Sequence, residues 1–117
     1  MQLETRVVGD VMIVRVVGDI TLKGGDIVLK DKINSLLQDG QRKILIDLGQ
    51  VSYVDSAGLG QLVAVHATTT RSGASMKLLN VTKRLRDLLV VTKLLVVFDT
   101  FDTEAAALAE FAKTAGV

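Results

Sequence analysis

Apolar residues recur along this chain in two rhythms, one of strands and one of helices. Residues 3–8 and 11–17 are short apolar, β-branched runs, and Gly9-Asp10 lies between them. That is a two-residue hairpin signal, with glycine supplying the positive φ of a tight turn. Gly18-Asp19-Ile20-Thr21 and Gly24-Gly25 read as a loop. Leu29, Ile33, Leu36 and Leu37 then fall at helical spacing. Lys30, Asp31, Lys32, Asn34 and Ser35 fill the opposite face, and Gly40 follows as a stop. Residues 43–48, Lys-Ile-Leu-Ile-Asp-Leu, read as a strand buried on both faces.

A second helix is expected to start at Asp55 or Ser56. Leu59, Leu62, Val63, His66 and Ala67 would form its inner stripe, and Arg71-Ser72-Gly73 its end. Residues 76–80 form another predicted strand. A third helix follows, with Val81, Leu85, Leu88 and Leu89 inward and Lys83, Arg84 and Arg86 outward. Residues 95–98 are expected as the last strand. Thr103 then caps a final short helix with Leu108, Phe111 and Ala112 inside. The order β-β-α-β-α-β-α-β-α predicts an α/β fold: a mixed, mostly parallel sheet opening with a β-hairpin, with about four helices. No repeat or boundary interrupts it, so residues 1–117 are expected as one domain.

Composition narrows the function. Aromatic residues make up 3% of the chain and hydrophobic residues 49%, so the core must be aliphatic. The net charge of +1 comes without a basic block or an aromatic platform, which argues against nucleic-acid binding. There are 0 cysteines, so disulfides and thiol chemistry are excluded, and a cytoplasmic protein is the matching expectation. Met1-Gln2-Leu3-Glu4 turns polar at once, unlike a signal peptide. The longest apolar stretch, residues 88–98, is broken by Thr92 and Lys93. It falls short of the roughly 20 residues of a bilayer span, so no membrane insertion is expected. The mean hydropathy of +0.41 leaves room for a weak homodimer.

The chemistry concentrates at one junction. The run from Asp47 to Leu62 joins an apolar strand to an apolar-faced helix and delivers Ser56 to the helix start among small residues. Loops leaving the carboxyl ends of strands carry function in open α/β sheets, and free N–H groups at a helix start favour negative charge. Asp55 is a natural N-cap, worth about 1 kcal/mol. Gly58 and Gly60 each cost roughly 1 kcal/mol against Ala in a helix. Either a partner backbone comes close there, or the helix packs tightly on the sheet. A lone hydroxyl among small residues, which another protein could approach closely, suits a phosphorylation switch better than catalysis. Phosphorylation of Ser56 would add about −1.5 to −2 charges beside Asp55.

Val54-Asp55-Ser56-Ala57-Gly58-Leu59-Gly60, after the strand ending Asp47-Leu48, resembles the signature of bacterial anti-sigma factor antagonists, which are single STAS domains. The resemblance covers nearly the whole chain. Gly18-Asp19-Ile20-Thr21 is similar to the family's turn after the second strand. Residues 81–89 resemble its third helix, and residues 98–108 its closing strand and helix. It implies a non-enzymatic binding protein without cofactor or bound metal. In its unphosphorylated form such a protein binds an anti-sigma factor that is also a serine kinase, and the sigma factor is released. The kinase phosphorylates the serine matching Ser56, and a metal-dependent serine phosphatase restores it. The implied partner surface is Asp19, Thr21, Asp55, Ser56, Ala57, Gly58, Leu59 and Gly60. Lys23-Gly24-Gly25 departs from the family, where many members begin a helix cleanly. So does Lys93, where many have glycine.

Other readings remain beside this one. A STAS subunit of a lipid-transporting ATP-binding-cassette complex would share the motif and need no switch. A small hydrolase using Ser56 would need a base. His66, the single histidine, lies ten residues on, about 15 Å along a helix, so a Ser-His-Asp triad is not expected. A lone histidine without cysteine makes a poor metal site. Val54 breaks a Gly-x-Ser-x-Gly elbow. Val63 breaks a dinucleotide fingerprint, and no lysine follows as in a P-loop. Asp19 and Asp55 either contact a partner or close turns. Lys83, Arg84 and Arg86 are either a solvated face or a docking patch for an acidic partner.

Overall fold

Strands β1 (Gln2–Val8) and β2 (Val11–Val17) pair antiparallel, with Val8 opposite Val11 and Gly9 at φ +61° in the turn. A computed structural model describes residues 1–21 and 25–115 of the chain. Lys23 and Gly24, two of the three residues of the glycine-rich departure, lie outside the described residues, while Gly25 opens α1 (Gly25–Gln38). Strands β3 (Lys43–Gln50) and β4 (Ser75–Leu79) follow, separated by α2 (Ser56–Arg71). They add in parallel to β2, and with β5 (Thr100–Phe101) parallel beside β4 the sheet runs in the order β1-β2-β3-β4-β5.

Strand alternation sends successive side chains to two cores. Ile44, Ile46 and Leu48 of β3 join Val14 and Val16 of β2 under α1, α2 and α3 (Lys83–Val91). Leu45 points the other way, with Val11, Ile13 and Leu79, to meet Ala107 and Phe111 of α4 (Glu104–Ala115). β3 is therefore covered on both faces, as its continuous apolar run required. Lys77 shares the α4 side and is 5% exposed. Its ammonium donates to Asp99 Oδ2 at 3.0 Å and lies 5.2 Å from the centre of the Phe111 ring. The pair and the ring compensate the cation's lost water.

Three expectations are corrected. The inner stripe of α2 is Leu59, Leu62, Val65 and Thr69; Val63, His66 and Ala67 are half-buried on its flank. Thr69 was hidden by its polarity, but its hydroxyl donates to the Val65 carbonyl at 2.7 Å and is satisfied inside. In α4, Ala107 and Phe111 are the buried pair, Leu108 is half-buried, and Ala112 is exposed. Ala112 stands about 100° round the helix from Phe111, past the buried face.

Residues 95–98 are not a strand. Leu95–Val97 form a 3-10 turn, and the last strand, β5, is Thr100–Phe101. The cause lies just upstream. Lys93 adopts φ +60° after α3; its N–H donates to Val90 O at 3.1 Å, and that of Leu94 to Leu89 O at 2.8 Å. This Schellman closure turns the chain back on itself. The backbone reaches β4 only at Asp99, whose carbonyl accepts from Leu78 N at 2.8 Å. The apolar run supplies the buried Phe98, while Val96 is 92% exposed.

Candidate functional site

The pairing of β2 with β3 continues past both strands, and this builds the site. Ile20 forms a parallel bridge with Val54. Its N–H donates to Tyr53 O at 2.9 Å, and its carbonyl accepts from Asp55 N at 3.3 Å. Ile20 and Val54 are both buried, so alternation turns Asp19, Thr21 and Asp55 away from the core. Asp19 is exposed, and Thr21 and Asp55 are half-buried. The two aspartates thus come from adjoining strand extensions, as neighbouring strands would allow.

Asp55 is the N-cap of α2. It keeps extended backbone, and its Oδ1 accepts from Gly58 N at 2.6 Å. Ser56 is the first helical residue and is exposed, and among the described residues its hydroxyl makes no hydrogen bond. The cap is therefore carried by Asp55 and leaves the serine unengaged. Ala57 is half-buried and Gly60 exposed. Gly58 is buried and Leu59 is 5% exposed, so both pack beneath the surface that Ser56, Ala57 and Gly60 present. The two glycines also divide. A Cβ on Gly58 would lie 1.9 Å from the Ile20 carbonyl oxygen, so tight packing on the sheet explains it. A Cβ on Gly60 would meet nothing within 4 Å, so packing does not explain that residue.

Beside Ser56 a groove of about 450 Å³ runs between the β3–α2 loop and α3. Its floor is apolar, with Val51, Val54, Leu85 and Leu88, and Ser56, Tyr53 and Arg84 stand among its other lining residues. Sequence reasoning missed this groove. Its signal was weak: one tyrosine in the loop and an α3 whose Leu88 and Val91 share a face with Arg84. The three α3 cations separate here. Lys83 pairs with Asp87 at 3.0 Å and Arg86 approaches Asp102 at 3.9 Å, whereas Arg84 lies on the groove.

His66 packs edge-on against Phe98, with ring centres 5.1 Å apart. Burial holds its pKa below the ordinary histidine value, against a smaller opposing pull from Asp99. It is a packing residue, one helix side and nearly three turns from Ser56. Among the described residues no three acidic or histidine side chains cluster as metal ligands would. No described helix is long and apolar enough to cross a membrane.

The STAS domain family model matches residues 2–107. The anti-sigma-B factor antagonist of Bacillus subtilis (strain 168) is 35% identical over 86 residues, which is 74% of this chain and 77% of that protein. An anti-sigma factor antagonist from Mycobacterium paratuberculosis superposes with a TM-score of 0.81 at 22% identity, over 93% of this chain and 92% of that one. The Bacillus cell fate determinant SpoIIAA, in its phosphorylated form, superposes with a TM-score of 0.72 at 18% identity, over 94% and 99% of the two chains. These two likenesses are of fold.

Proposed function

The chain belongs to the STAS domain family, and from that premise we propose that it is an anti-sigma factor antagonist switched by phosphorylation of Ser56. In this reading residues 1–117 form one domain that acts by binding and carries out no catalysis. Its unphosphorylated form holds an anti-sigma factor, and the sigma factor bound to that protein is released. The observation that carries the reading is Ser56 itself: exposed at the first turn of α2, on the rim of an apolar groove, and spared from capping by Asp55.

The proposed partner surface is Asp19, Thr21, Asp55, Ser56, Ala57 and Gly60, with Gly58 and Leu59 packed directly beneath it. The anti-sigma factor is also the kinase. Ser56 Oγ takes the γ-phosphoryl group of ATP, its proton passes to a base of the kinase, and ADP leaves. The product carries about −1.5 to −2 charges next to Asp55. A partner seated there would then have to bury that charge beside Asp55 in a surface shaped for a neutral hydroxyl, which is costly. The complex separates and the fold remains. A serine phosphatase restores the hydroxyl by hydrolysing the ester. In this reading the protein works in the cytoplasm, where its kinase meets ATP.

The test uses wild type and Ser56→Asp as baits in lysate of the native host. Capture by wild type of an anti-sigma serine kinase, identified by mass spectrometry and lost with Ser56→Asp, supports the switch. A transport ATPase held equally by both would overturn it.

A further inference from the structure

Ser56 and Arg84 line one groove from opposite sides, the first on α2 and the second on α3. We propose that Arg84 receives the phosphate when Ser56 is phosphorylated, so that the modified side chain clasps the mouth of the groove. The inference rests on the reading of Ser56 as the phosphorylated residue and names what the phosphate does within the protein.

Charge bookkeeping on α3 selects Arg84. Lys83 is held by Asp87 at 3.0 Å and Arg86 approaches Asp102 at 3.9 Å. Arg84 is exposed and makes no ion pair among the described residues. Helical spacing places Arg84, Leu88 and Val91 on one face, and all three line the groove. Arg84 is thus the exposed cation at the edge of an apolar face that Leu88 and Val91 continue. Two carboxylates also face this space. Asp55 is committed to the Gly58 N–H and Asp87 to Lys83. Both repel a phosphate, and that repulsion leaves the guanidinium as its favourable neighbour. The planar fork of arginine matches a phosphate with two parallel hydrogen bonds, which lysine cannot reproduce.

The consequence for regulation is specific. A phosphate that only repelled a partner would leave the groove open. One clasped to Arg84 also covers the Val54 and Leu88 walls. Ser56→Asp is then an incomplete mimic, because its carboxylate is shorter and carries one charge.

Phosphoserine installed at position 56 during translation isolates this step from any kinase. Phosphorus NMR then follows its second ionisation, ordinarily near pH 6. In the wild-type background it is expected about half a unit or more below its position in Arg84→Gln, because a nearby cation favours the dianion. Arg86→Gln should titrate like wild type, and Arg84→Lys should fall between. Matching amide spectra confirm that each variant is folded. Equal titration in wild type and Arg84→Gln overturns the proposal. So does an equal shift in Arg86→Gln, which would mean a diffuse field. The underlying reading is tested apart: phosphate incorporation from ATP in host lysate, lost in Ser56→Ala, supports it, and unchanged incorporation overturns it.

Discussion

Gly58 rests on the backbone of Ile20, where an added Cβ would stand 1.9 Å from the carbonyl oxygen. That oxygen also accepts from Asp55 N at 3.3 Å, so the contact ties the first turn of α2 to the strap after β2. Gly58→Ala must displace one of them, and neither is a flexible side-chain end. A loss of about 2–3 kcal/mol in urea unfolding is expected. Gly60→Ala should gain up to about 1 kcal/mol from helix propensity, since nothing stands within 4 Å. Stability effects of opposite sign two residues apart would check the packing. Weaker binding by the stabilised Gly60→Ala would show that Gly60 serves the approach of a partner.

Removing the cap gives a second test. Asp55→Ala deletes the acceptor for Gly58 N–H, and about 1 kcal/mol should be lost in chemical denaturation. Asp55→Asn should keep most of it, because asparagine caps equally well. Equal losses in both would mean that the charge, and not the hydrogen bond, supports the helix.

Much of this arrangement was legible in the sequence. The hairpin, the four helices and the Asp55 cap follow from residues whose local preference agrees with their surroundings. Most of what escaped depends on contacts distant in sequence; residues 95–98 are the local exception. Apolar content suggested a strand over residues 95–98, but the turn at Lys93 uses the run to deliver Phe98. The burial of Lys77 follows only from α4, which covers that face of the sheet. Gly58 and Gly60 look alike in the motif, and only the approach of Ile20 separates them. The groove joins a loop to a helix about thirty residues later, a distance no local pattern spans.

Lys93 offers a gain. It holds φ +60° at the end of α3, a conformation in which a Cβ is strained and glycine is not. Lys93→Gly should stabilise the protein by about 1 kcal/mol. A raised urea midpoint at unchanged slope would confirm it, and a lowered midpoint would show that the lysine side chain repays its backbone.

Histidine titration sets a pH dependence. Burial lowers the His66 pKa in the folded protein, so the unfolded chain binds the proton more readily. The neutral ring contributes stability above the unfolded value of about 6.5. That contribution is lost as pH falls through the lower folded value. Asp10 beside Lys43 and Glu104 beside Arg6 are depressed carboxylates and respond at more acidic pH. Melting temperature followed from pH 8 to pH 5 should therefore decline in wild type over a range where His66→Gln is flat. Parallel curves would remove His66 as the cause.

The sheet has one long margin and one short one. β1 presents seven residues at its outer side, whereas β5 ends the opposite side after two. Backbone groups along an open margin are a template for another chain. Here a second copy finds a full-length template only at β1, and two molecules joined there have used it up. Were two copies to add strand to strand there, the pairing would close as a symmetric pair and leave no second long edge from which to extend.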